Sequence, residues 1–225
     1  MNQILSVELP SSTLYVSGTV NEVPVTWTNT DGNTWTATAD RAPDDVYRIA
    51  LTIIDENGNT SETSTILYFG LLSLITDRTS QDVYRWRQLR DKGWQAMTED
   101  ERNEWLSSLK GAYNYTDMNR VEGAVEYVAG KLTQAGYLFH PVVKTDWHMT
   151  DIPTLEDMER YIGNVAEIRT RIRVLPTTPM APSPRENLSH DGANRLEQIL
   201  LDVGTLTENM AQSWLESNDL FAGEV

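Results

Sequence analysis

Two stretches of this 225-residue chain carry the same polar string. Thr116-Asp117-Met118-Asn119-Arg120-Val121-Glu122 and Asp191-Gly192-Ala193-Asn194-Arg195-Leu196-Glu197 both contain Asn-Arg-apolar-Glu, and Met158-Glu159-Arg160-Tyr161-Ile162-Gly163-Asn164 is a scrambled cognate. On a helix, residues three apart share a face, so Asn119 and Glu122 would point together, as would Asn194 and Glu197. Arg120 and Arg195 between them would reach toward a neighbouring element. Such a set makes either a polar ligand pocket or interhelical contacts that fix helix register, with acids near the N-termini complementing the dipole. No nucleophile, oxyanion donor or histidine accompanies the string, which favours architecture. Asn119, Arg120, Glu122, Asn194, Arg195 and Glu197 are therefore read as a structural polar repeat.

Other chemistry is sparse. The absence of cysteine excludes disulfides, thiol nucleophiles and thiolate zinc sites. Only His140, His148 and His190 remain as histidines, which narrows the metal and general-base options. Asp55, Asn57 and Asn59 copy the alternating oxygens of a calcium loop, yet its position 12, where a bidentate Glu is required, is Ile66, and a hairpin turn explains them better. His140 with Trp147-His148 would make a ligand cluster; a loop laying its aromatic ring on the helices is the simpler reading. Paired carboxylates for glycoside hydrolysis would be hidden among 33 acids, but sequence spacing does not set their separation. Seven tryptophans suffice for one or two to stand exposed, and a ring beside Asn and Asp offers a stacking platform for sugars. No catalytic, metal-ligating or cofactor-binding residue is assigned, and no cofactor is expected.

With 33 acidic against 18 basic side chains the formal charge is −15, which disfavours nucleic acid and anionic lipid. No apolar run approaches the roughly 20 residues of a spanning helix, and the first ten residues show no export signal.

The elements that would position these residues divide into two halves. Residues 1–70 alternate apolar and polar positions, as at Leu14, Val16 and Val20, at Val23, Val25 and Trp27, and at Trp35, Ala37 and Ala39. Turn signals at Asn29-Thr30-Asp31-Gly32-Asn33 and Asp55-Glu56-Asn57-Gly58-Asn59 separate strands expected near 3–8, 13–18, 23–28, 34–39, 46–54 and 61–69. Tyr47, just inside a strand after a Pro43 corner, suits a tyrosine corner that pins the crossing between two sheets, with Ile49, Leu51 and Ile53 on one face.

From Thr76 onward the period is helical. Thr79 and Thr98 each precede an acid by three residues and read as N-caps, the second a full capping box. Long amphipathic helices are expected from Thr116 to Gly136, from Thr154 to about Ile172 and from Ser189 onward. They can bury their stripes only against one another, so a helical bundle is expected, with the Pro-rich stretch 176–184 as a stiff extended connection along one side.

The aromatic-led strand 46–55 running into its Asp-x-x-Gly-Asn turn resembles the last strands of bacterial immunoglobulin-like domains, over about 3–69. A second resemblance rests on Gly111-Ala112-Tyr113-Asn114-Tyr115-Thr116-Asp117-Met118-Asn119-Arg120-Val121-Glu122, followed by Thr145-Asp146-Trp147, Ile152-Pro153-Thr154 and Ala193-Asn194-Arg195-Leu196-Glu197. This order is similar to a helical module of tail-associated structural proteins from phages and prophages of gut Firmicutes, which often pair it with immunoglobulin-like and glycan-binding parts. The expected fold is thus modular α+β: an immunoglobulin-like antiparallel β-sandwich over 1–70, then an α-helical bundle over 71–225.

The resemblance implies a non-enzymatic virion component in a phage or prophage tail appendage, giving assembly surface and weak host attachment. Its partners would be other tail proteins and cell-surface glycan. Such a protein is made in the host cytoplasm and released by lysis. Two alternatives stand beside it: a bacterial surface adhesin fragment, located at the cell surface, and a carboxylate glycosidase or lyase acting on cell-wall glycan.

A homo-oligomer is also expected. Residues 1–70 hold nine acids and two bases, giving −7, and residues 71–225 hold 24 acids and 16 bases, giving −8. Arg85, Arg87, Arg90, Lys92, Arg169, Arg171 and Arg173 would meet the acidic half of a neighbouring copy, in a contact weakened by salt.

Overall fold

The computed structural model describes residues 2–43, 45–106, 109–184 and 187–221, with side chains described from Gln3 as far as Ala211 and again at Ser213. Among the described residues seven strands are followed by five α-helices, and the chain divides into two compact units after Ser73. This is an α+β chain.

In the first unit the strands are β1 (Asn2–Glu8), β2 (Thr13–Val20), β3 (Val23–Thr26), β4 (Thr28–Asp31), β5 (Thr34–Asp40), β6 (Val46–Asp55) and β7 (Thr60–Tyr68). They form two antiparallel sheets, ordered β1-β5-β4 and β3-β2-β6-β7. The alternating pattern explains the buried face of β6, where Tyr47, Ile49, Leu51 and Ile53 point inward while Arg48 and Ala50 face out. Both sheets feed one core, which includes Leu5, Val16, Val20, Trp27, Trp35, Ile49 and Leu51.

The single strand expected at 23–28 is two. The chain leaves one sheet at Thr26 and joins the other at Thr28, with Trp27 buried at the crossing. Alternation continues through such a switch, so periodicity alone does not reveal it. The β2–β3 turn also escaped the Gly-based turn signals. Asn21 and Glu22 both take positive φ, 49° and 68°, the backbone of a two-residue hairpin. The Asn21 side chain offsets that strain by accepting from the Arg48 N–H at 2.8 Å and donating to the Val46 carbonyl.

The second unit contains α1 (Ser80–Lys92), α2 (Glu99–Leu106), α3 (Tyr115–Gln134), α4 (Leu155–Arg171) and α5 (His190–Phe221), with a single 3-10 turn at Trp94–Ala96. Thr79 and Thr154 close reciprocal capping boxes with Asp82 and Asp157, and Thr98 exchanges the same bonds with Glu101. The N-cap of α3 is Asn114, boxed with Asp117, two residues before the expected Thr116. The apolar stripes of α3, α4 and α5 pack against one another. Among the described residues, no helix is long and apolar enough to cross a membrane.

Candidate functional site

The repeated polar string folds into two equivalent clamps. Asn119 and Glu122 lie five and eight residues after the α3 cap Asn114. Asn194 and Glu197 lie five and eight after Ser189, whose hydroxyl accepts the Gly192 N–H at the start of α5. In α3, the Asn119 amide brackets one residue of an extended segment, accepting from the Trp147 N–H at 2.8 Å and donating to its carbonyl at 3.0 Å. In α5, Asn194 does the same to Arg78, at 3.0 and 2.8 Å. Glu122 then accepts the N–H of Lys144, three residues before Trp147, and Glu197 accepts the N–H of Ile75, three before Arg78.

The correspondence extends to side chains. The indole of Trp147 donates to Glu122, and the guanidinium of Arg78 pairs with Glu197 at 2.7 Å. An arginine from another helix completes each site. Arg160 of α4 grips both Glu122 oxygens, at 2.6 and 2.7 Å, and Arg120 of α3 reaches both Glu197 oxygens. Glu122 thereby receives four hydrogen-bond donors, the full lone-pair capacity of a carboxylate, and Glu197 receives three together with the ion pair to Arg78.

Asp117 joins the second clamp, contacting Arg78 at 3.0 Å and Arg120 at 2.5 Å. The result is a neutral quartet, Arg78, Arg120, Asp117 and Glu197, in which every residue is buried. Burial works against the charge on Arg120, but Glu197 and Asp117 outweigh it and raise its pKa above the ordinary arginine value. Arg160 is likewise raised, first by its bonds to Glu122. Beside the quartet, the hydroxyls of Tyr113 and Tyr161 contact each other, and burial pushes both phenols upward.

Arg195 departs from the expected role. It occupies the same sixth position after its cap as Arg120 and Arg160, yet it is exposed. The physical reason lies in α4, which carries Ile162 at the eighth position where α3 and α5 carry glutamate. The helix set holds three such arginines and two such acceptors.

The clamped partners Arg78 and Trp147 were missed as partners of the repeat, although a signal exists. Ile75-Thr76-Asp77-Arg78 and Lys144-Thr145-Asp146-Trp147 share Thr-Asp at the same offset from the clamped residue. The Pro-rich connection is held differently. Arg169 donates to the carbonyls of Thr178 and Pro179, and the buried Thr178 hydroxyl donates to Asp202.

In the β unit the Ala42 N–H donates to the Tyr47 hydroxyl at 3.2 Å, five residues upstream in sequence. The neighbouring Asp45 is 2% exposed, pairs with Arg41 and accepts the N–H groups of Leu71 and Leu72, which anchors the chain leaving β7. Asp55 accepts from the backbone of Asn57 and Asn59 and from the Asn59 side chain, bonds that lower its pKa, the Asn59 side chain foremost.

A concavity of the helical unit, about 490 Å³, is bordered by Trp86, Trp105, Tyr113, Tyr115 and Trp147, with Asn114, His148 and Asp151 among its polar lining. His140 borders a different depression, so the two histidines do not converge. Trp27 and Trp35 belong to the β core, Trp94 is exposed, and the Trp214 side chain lies outside the described residues.

The expected basic patches are largely engaged within the helical unit. Arg85 pairs with Glu104, Arg90 with Asp91, Lys92 with Glu101 and Arg171 with Glu167, while Arg87 and Arg173 are exposed. Among the described residues, no group of three or more His, Asp or Glu side chains is placed to hold a metal ion. Neither a family model, nor a curated protein, nor a solved structure matches this chain significantly.

Proposed function

We propose that the chain is a non-enzymatic structural and attachment component of a phage or prophage tail, built from an immunoglobulin-like sandwich and a helical bundle. The observation that carries the non-enzymatic reading is the engagement of Glu122 and Glu197. Glu122 accepts four hydrogen bonds, and Glu197 accepts three and pairs with a second arginine, so both carboxylates are committed to backbone and arginine rather than held open for a proton, a metal or an anomeric carbon. The repeat that looked most like a site is thus engaged in holding extended backbone against helices. The tail assignment itself rests on the resemblance of 111–122, 145–147, 152–154 and 193–197 to tail-associated modules.

Attachment by such a protein is weak per copy and gains strength from many copies on one particle. Self-association enters this proposal on net charge contrast, with Arg87 and Arg173 as the exposed bases of the expected patches that make no ion pair among the described residues. Light scattering at low and high salt should show oligomers that dissociate as salt rises. The main test is sedimentation with purified Gram-positive cell walls, combined with an assay for new reducing ends. Co-sedimentation without reducing-end release is the expected result; release of reducing ends would move the chain to the glycan-cleaving class.

A further inference from the structure

The aromatic groove has a lining with a definite chemical preference. Three of its rings already carry a cation: Arg90 lies 4.9 Å from the Trp86 ring centroid, Lys144 3.9 Å from that of Trp147, and Arg78 5.3 Å from that of Tyr113. A cationic ligand, such as a quaternary ammonium, would meet those positive charges where it needs bare ring faces. The net charge of −15 acts against an anionic ligand at long range, while Arg90 and Lys144 beside the groove act in the opposite sense. Local charge thus disfavours a cation, and the choice of a neutral ligand rests on the lining itself.

The groove also mixes flat apolar surface with hydrogen-bonding groups. Trp105 and Tyr115 line it without a cation among the described ring contacts, and Tyr115 is 37% exposed. Beside them, the Asn114 carbonyl oxygen is engaged by Thr116 while its amide donor makes no described hydrogen bond. One oxygen of Asp151 accepts from Lys144 and from the His148 N–H, which leaves the other. The His148 side chain is exposed at the same edge. A purely aliphatic occupant would leave these polar groups without partners. A pyranose ring satisfies both demands, since it offers one face of C–H groups and a rim of hydroxyls. The volume, about 490 Å³, lies within the usual range of small-molecule sites.

We propose that this groove binds a neutral pyranose saccharide, with Trp105 and Tyr115 as stacking platforms and Asn114, His148 and Asp151 as hydroxyl partners. The proposal rests on the attachment reading and names its ligand class. The test is titration of the full chain with lactose, cellobiose and diacetylchitobiose, followed by tryptophan fluorescence and amide chemical shifts, with choline and sialyllactose as charged comparators.

At least one neutral disaccharide should bind saturably, with Kd on the order of 0.1–10 mM. Trp105→Ala and Tyr115→Ala should each weaken that binding by about tenfold or more, corresponding to 1.4 kcal/mol. Trp94→Ala, outside the groove, should leave it unchanged. Tyr115 is partly exposed at the first position of α3, so its variant keeps the test decisive if Trp105→Ala fails to fold. No saturable response to any of the three neutral sugars would overturn the proposal and point to a protein occupant. Equal binding by both variants, or a stronger response to choline or sialyllactose, would overturn it as well. Cell-wall binding that persists in Tyr115→Ala would sink the groove and leave the attachment reading standing.

Discussion

In the β unit the strands pair along nearly their whole length, so extended backbone satisfies extended backbone and the side chains are free to fill the core. In the helical unit two extended segments, 75–78 and 144–147, lie without strand partners, and their N–H and C=O groups are met by Asn and Glu side chains from α5 and α3. Buried backbone must be paired in either case. A sheet does this with no sequence requirement beyond alternation. A helix has used its own backbone groups internally, so anything docked beside it must be matched by particular side chains. The helical unit therefore concentrates its specificity in a few buried polar residues, whereas the β unit distributes it over a ladder.

That contrast is most severely tested by removing a clamp carboxylate. Glu197→Ala would leave Arg78 and Arg120 buried with only Asp117 between them, and breaking a buried charge set of this kind costs about 3–5 kcal/mol. Helical circular dichroism should melt early while residue-resolved amide exchange in β2 and β6 stays protected. Early loss of protection in both units would erase the distinction.

The equivalence of the two clamps is sharpened by Asn119→Ala and Asn194→Ala. Each orphans one N–H and one C=O, a loss of about 1–3 kcal/mol, and the two should agree closely in chemical denaturation. A parent-like midpoint for either variant would show that its clamp is ornamental.

On the β side, Tyr47→Phe removes the acceptor of the Ala42 N–H and should cost about 0.5–1.5 kcal/mol, read as a lower midpoint for the β unit alone. An unchanged midpoint would remove the tyrosine corner as a stabilising contact.

Acid should separate the units further. Hydrogen bonds from Lys92 and then from the Thr98 backbone hold Glu101 at about 2, and the Thr79 and Thr154 hydroxyls lead in lowering Asp82 and Asp157. A carboxylate lowered by folding stabilises the fold above its unfolded pKa and loses that contribution as pH falls through the folded value. For Glu101 the window runs from 4.5 down to about 2. Asp77, Asp82, Glu101, Glu104, Asp151 and Asp157 are lowered in the helical unit, against Asp55 in the β unit, so helical melting should fall faster with acidification. Parallel loss in the two units over that window would contradict this.

The smallest effect is expected at Arg195. Its removal should stay within about 0.5 kcal/mol, although Arg120→Ala, at the matching position, breaks the buried quartet and should cost about 3–5 kcal/mol. Comparable losses in thermal melts of the two variants would mean that Arg195 has a partner after all.

Much of the architecture was legible because it follows from local rules. Thr79, Thr98 and Thr154 announce helix starts through acids three residues on, since that spacing lets side chain and backbone exchange two hydrogen bonds. Tyr47 and the Asp55 turn are likewise short-range devices whose partners lie within five residues. The strand switch at Trp27 was not legible, because a chain crossing between sheets keeps its alternation. The Asn21-Glu22 hairpin was missed because it lacks glycine.

The sequence by itself determined that Asn119, Glu122, Asn194 and Glu197 would share helix faces in matched pairs, because helical geometry fixes which neighbours in sequence point together. It also determined that the two arginines would leave those faces. Only the tertiary structure decided that the glutamates bind backbone 22 and 122 residues away, that Arg120 is buried and that Arg195 is not. Those outcomes depend on which element lies opposite each face. The glutamates that pair with Arg120 and Arg160 are carried by other helices, and the absence of a glutamate at Ile162 gains meaning only once the helices are side by side.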